Sequence, residues 1–126
     1  MANGTADRVT ESNPEHEPVD IGMMERTAQE VISDGAKIED SDELDTVVML
    51  LRGMVMLLVP EIEEALGRFP KSHTPAISAR AGIQEARNRI AYVPGTNLSQ
   101  LVSHAQRLAR SVLALTRHYK ALGCVA

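Results

Sequence analysis

Four histidines (His16, His73, His104 and His118) and one cysteine (Cys124) are the side chains of this 126-residue chain best suited to metal binding or nucleophilic attack. Their spacing commits to neither. His104 and His118 fall on one helical stretch, but at the usual rise they stand roughly 21 Å apart, too far to share an ion. A lone cysteine near the chain end is an ordinary free thiol unless its pKa is lowered, and it forms no internal disulfide. No Gly-rich phosphate loop, no Asp-rich paired motif and no nucleophile elbow is present. No metal and no cofactor is expected, and the balance leans away from an enzyme. A site assembled from scattered side chains would draw on Arg52, Glu85 and Arg87, with His118 and Tyr119 at the end of a pocket between helices 2, 3 and 4.

Asp40-Ser41 is similar to the Asp-Ser at which carrier proteins receive phosphopantetheine. Those proteins follow the serine with leucine, whereas Asp42 follows here, and helix capping accounts for Ser41. The charges are unevenly divided: Met1 to Leu66 holds 16 acids and 4 Lys/Arg, and Gly67 to Ala126 holds one acid, Glu85, and 9 Lys/Arg. Arg107, Arg110 and Arg117 share a side of helix 4 and are the candidate anion contacts. Without interleaved aromatics or a helix-turn-helix signature they argue for neutralisation between an acidic and a basic half of a bundle, not for nucleic acid.

The elements that must position these groups are helices. Hydrophobic residues make up 44% of the chain and aromatics 2%, so the core is built from Leu, Ile, Val, Ala and Met, a mixture suited to helix packing. The fold class is all-α, about four helices behind a disordered acidic tail over 1–19, with the bundle over 20–123. Helix 1 spans 20–34, from the Asp20 cap to Gly35. Helix 2 spans 42–67 with a kink at Pro60, opened by Ser41 and Asp42. Helix 3 spans 75–92 behind a Thr74 cap, and its small face at Ala79, Gly82 and Ala86 admits a close neighbour. Helix 4 spans 98–122, from an Asn97/Gln100 capping box to Gly123.

From Val47 to Val59 only Arg52 and Gly53 interrupt the apolar residues, too short and too charged a run for a membrane span. Helix 2 is therefore expected at the centre of the bundle, buried on most sides. Met49, Arg52, Met56 and Val59 lie on the face marked outer by Asp45 and Glu63, and this methionine seam is the candidate interface. It favours a homo-oligomer, a dimer first, and leaves room for a protein partner. No apolar leader precedes Ile21 and no lipidation box is present, so a cytoplasmic protein away from membranes is expected.

Leu50-Leu51-Arg52-Gly53, Val59-Pro60-Glu61-Ile62-Glu63, Glu85-Ala86-Arg87 and the run from His104 through Arg107-Leu108-Ala109-Arg110 to His118-Tyr119 resemble a family of small uncharacterised actinobacterial proteins. The resemblance spans Ser41 to Lys120. Members of that family are labelled natural-product biosynthesis proteins, with no assigned reaction and no catalytic residues to carry over. The resulting expectation is a non-catalytic accessory or regulatory interaction protein; a small-molecule binder or small helical enzyme is the alternative.

Overall fold

A computed structural model describes residues 19–124. Its helices start and stop on local chemistry. α1, Ile21–Asp34, is capped by Asp20, whose carboxylate accepts from the Met23 amide at 3.0 Å. Val19 ahead of the cap and Met24 in the first turn are both buried, the staple arrangement that fixes how the chain enters a helix. The expected tail therefore yields Val19 to the core, and the rest of it lies outside the described residues.

A 3-10 turn, Gly35–Lys37, leads to α2, Ser41–Leu66. Its cap is Asp40, one residue before the expected Ser41, accepting from the Asp42 amide at 2.9 Å. The helix stays continuous through Pro60. Pro60, Met56 and Leu57 all face solvent, so water can hydrate the Met56 carbonyl that the proline leaves without a donor. α3, Thr74–Ala91, is capped at His73 and not Thr74, with Pro75 in its first turn. The His73 ring stacks on Phe69 at 4.4 Å between centroids. α4, Leu98–Ala121, opens on the Asn97/Gln100 capping box. It closes at Gly123, whose φ of 76° suits glycine, with the Cys124 amide returning to the Tyr119 carbonyl. Among the described residues there is no strand, and no helix is long and apolar enough to cross a membrane.

The centre of the bundle is α4, which corrects the expectation for α2. α1, α2 and α3 each pack along α4, α2 and α3 touch over a short stretch, and α1 and α2 hardly meet. The buried positions of α4 run from Ser111 through Leu108 and Val112 to Ala109, a fan of about 160° at 100° per residue. That breadth lets one helix face three others. It is carried by small and polar residues beside the leucine stripe. The Thr116 hydroxyl donates to the Leu113 carbonyl at 2.9 Å, so it can be buried with its hydrogen bond satisfied inside its own helix.

Polar ties close the seams between helices. Lys120 reaches Glu25 at 2.9 Å and the Gln106 amide donates to the Ile32 carbonyl at 3.2 Å, joining α4 to α1. Arg87 pairs with Glu63 at 2.8 Å and Arg52 donates to the Ile90 carbonyl, joining α3 to α2. The exposed pairs add at most about 1 kcal/mol each.

At Gly82 α3 comes close to α4. A Cβ added there would stand 2.6 Å from His118 Nε2, inside any real contact distance. Alanine at this position gains up to about 1 kcal/mol of helix propensity, but forcing the imidazole aside costs about 1–3 kcal/mol. Gly82→Ala is therefore expected to lower stability, and the same substitution in a His118→Ala background to raise it. Denaturant unfolding of the four proteins in this cycle measures the change of sign; a stabilising Gly82→Ala in the native background would remove the close-approach reading.

Candidate functional site

α2, expected to be buried on most sides, turns a broad apolar face to solvent. Met49 is 71% exposed, Met56 62%, Leu57 60% and Leu50 49%. Drawn at 100° per residue, these four with Gly53 and Pro60 occupy about 120° of the helix surface. α1 lies against α4 and leaves them bare. Two members of the expected seam fall elsewhere. Val59 is buried at 6%, because its side faces the core with Val55 and Ile62, and Arg52 is partly buried and turned toward α3 by its bond to the Ile90 carbonyl.

Gly53 sits in the middle of this face, and among the described residues nothing but the adjoining backbone of its own helix comes within 4 Å of where a Cβ would be. In a 26-residue helix such a glycine costs roughly 1 kcal/mol relative to alanine and gains no close packing among the described residues. Beside the face, between α1 and α2, runs a groove of about 300 Å³. Val31, Ile38, Val47 and Leu50 form its apolar floor and Glu30, Asp34 and Glu43 its rim, and among the described residues no basic side chain lines it. Face and groove join at Leu50.

The side chains expected to share one pocket are dispersed. Arg52 and Glu85 line two cavities beside the loop between α3 and α4. Arg87 is held by Glu63 on the surface, His118 lies against Gly82, and Tyr119 is buried at 3% among core residues. The three arginines of α4 also part. Arg107 turns toward that loop, while Arg110 and Arg117 project from the outer side. His104 and Tyr92 meet there at 5.7 Å between ring centroids, a pairing that the sequence reading did not single out. The capping box that follows Pro94 and Gly95 was its only signal, since it fixes where α4 begins beneath the loop.

Burial sets the titration of several groups. It holds His104 below the usual histidine range, reinforced by the charges of Arg52, Arg107 and Arg89, and it does the same for His118 beside Arg117. Burial also pushes the Cys124 thiol upward, away from nucleophilic reactivity. The two histidines fix a pH response. An unfolded chain takes up protons near the ordinary value of 6.5 while the folded protein resists until lower pH, so stability is full above 6.5 and falls as pH drops below it. Melting temperatures measured from about pH 7.5 to 5.5 should decline, and His104→Gln with His118→Gln should flatten the decline. A flat profile in the native protein would refute the assignment. Glu25 acts in a separate window: Lys120 holds its carboxyl below 4.5, so its contribution is present above that value and lost as pH falls through the lowered pKa.

Among the described residues no group of three His, Cys, Asp or Glu side chains stands close enough to hold a metal ion. The family of unknown function DUF6415 matches residues 22–124, and the chain belongs to it. No curated protein and no solved structure matches the chain.

Proposed function

We propose that this protein is a helix-docking adaptor, which receives an amphipathic helix of a partner protein on the outer face of α2. The observation that carries this reading is the unbroken apolar face of Met49, Leu50, Met56 and Leu57 around the vacant surface of Gly53. Apolar side chains at three- and four-residue spacing on an exposed helix offer the surface that a second helix covers, and a glycine between them admits a knob from the partner. An exposed apolar surface of this continuity also has a cost in solubility that folding alone does not explain.

Charge selects the occupant. Asp42 and Asp45 stand at one end of the face, Glu61, Glu63 and Glu64 at the other, and Glu30, Asp34 and Glu43 rim the adjoining groove. A two-fold pairing of α2 about Gly53 would match Met49 with Leu57 and Leu50 with Met56, but it would bring the acidic ends together. A partner helix with Lys or Arg flanking its apolar stripe meets the same surface with complementary charge. The resemblance over Ser41 to Lys120 supports a place for this adaptor in natural-product biosynthesis.

Two helical peptides with one Leu/Met stripe, one flanked by lysine and the other by glutamate, test the reading by fluorescence anisotropy. The lysine peptide should bind saturably and weaken with added salt; the glutamate peptide should not bind. Equal binding of both, or of neither, would overturn it. So would sedimentation of the protein as a dimer that Met56→Glu dissociates, because a second copy would then be the occupant.

A further inference from the structure

Three cavities meet around Tyr92, in the loop between α3 and α4. One, of about 410 Å³, lies between α2 and α4 and is lined by Val48, Ile90, Leu101, Arg52 and His104. A second, of about 190 Å³, follows the start of α4 past Gln100 and Ser103 to Arg107. The third, of about 330 Å³, is bounded by Glu85, Asn88, Arg89 and Arg107. Tyr92 borders all three and His104 the first two. Sharing Tyr92 as a wall, the three cavities form a cluster, the Tyr92 basin, with apolar lining toward α2 and cationic lining toward α3.

The cations of this basin are not consumed by the fold. Arg52 donates to a neutral carbonyl, that of Ile90, and has no acidic partner among the described ion pairs. Arg107 likewise has none among them, and Arg89 approaches Glu85 only at 3.9 Å. The Arg89 Nε is buried with no hydrogen-bond partner, and a buried N–H left unpaired costs about 1–3 kcal/mol. The Nε itself is covered, so what Arg89 offers the cavity is the outer end of a guanidinium whose side chain is 35% exposed.

We infer that this basin binds a small organic carboxylate, its anionic head between Arg89 and Arg107 and its apolar body beside Tyr92 toward Val48 and Leu101. Charge balance chooses the head. Among the described residues three guanidinium groups face two carboxylates, Asp45 and Glu85, leaving one positive charge for a monoanion and too little for a phosphate dianion. Arginine forks match the planar two-oxygen geometry of a carboxylate. His104, kept neutral by its burial and by the arginines, adds no charge at neutral pH but senses the arrival of one. The docking face on α2 is separate from this head group, so either assignment can fail while the other stands.

The test uses 4-phenylbutyrate, its neutral amide and inorganic phosphate as probes in NMR titrations of the full chain. 4-Phenylbutyrate should give saturable shifts at Tyr92 and His104, and the His104 pKa should rise on binding. The amide should bind at least tenfold more weakly, and phosphate more weakly than the carboxylate. Arg107→Gln, at an exposed position, and Arg89→Gln should each weaken 4-phenylbutyrate at least tenfold. Absent saturation by 4-phenylbutyrate, equal binding of acid and amide, or unchanged affinity in both variants would overturn the site. Tighter binding of phosphate would overturn the choice of a monocarboxylate.

Discussion

Leu108→Ala is expected to lower the unfolding free energy by about 3 kcal/mol, toward the middle of the range of roughly 2–5 kcal/mol for deleting a buried leucine. Leu108 is 0% exposed on the one helix that all the others pack against. Leu108 lies near the middle of the buried fan of α4, so a cavity opened there is enclosed by the core. For a domain of this size such a loss lowers the melting temperature by about 12 °C or more. It is also a large part of the roughly 5–15 kcal/mol that holds a typical domain folded. Leu57→Ala serves as the contrast. That leucine is 60% exposed, and its truncation should stay within about 0.5 kcal/mol. Equal losses from the two substitutions in calorimetry would contradict the placement of the core on α4.

Met56→Glu is expected to leave the melting temperature nearly unchanged while weakening the lysine-flanked helix by about 30-fold or more. The side chain is 62% exposed, so a carboxylate there stays hydrated in the free protein. A docked helix must desolvate it, and losing a central apolar anchor costs about 2 kcal/mol or more, equivalent to that fold-change. Gly53→Ala separates the two properties more sharply. Alanine should stabilise the free chain by up to about 1 kcal/mol through helix propensity, since among the described residues no other group crowds the new Cβ. The same methyl group should weaken docking. A Gly53→Ala protein that gains stability and keeps full affinity for the peptide would move the docking site away from this face.

Much of the architecture was legible because helix ends are written in local chemistry. Asp20, the Asn97/Gln100 box and Gly123 each sit where a cap, a box and a left-handed residue were expected. Caps failed by one residue at Asp40 and His73, where neighbouring positions compete for the same role and only the path of the chain decides. The centre of the bundle was harder to read. Hydrophobicity ranks α2 above α4, but a sequence cannot distinguish apolar surface facing the core from apolar surface left for something else. α4 in turn buries Ser111, Thr116 and His104, which a polarity scale assigns to solvent. Met49 and Met56 were recognised as outward-facing from the acids around them, whereas Val59, only about 60° away from Met56, turns into the core. The Tyr92 basin left almost no local signal. It gathers α2, α3, the α3–α4 loop and α4, positions from Asp45 to Arg107 that only the packing brings together.

The order of synthesis gives the central position of α4 a consequence for how the chain reaches its folded form. α1, α2 and α3 all emerge from the ribosome before the helix against which they bury their apolar residues, and α1 and α2 have almost no contact with each other to hold them meanwhile. Stable tertiary structure therefore has to wait for residues up to about Tyr119, and a chain stalled before then exposes the apolar surface of three helices at once. Folding should be a single late event and not a stepwise one, and during translation the nascent protein depends on whatever shields that surface until α4 arrives.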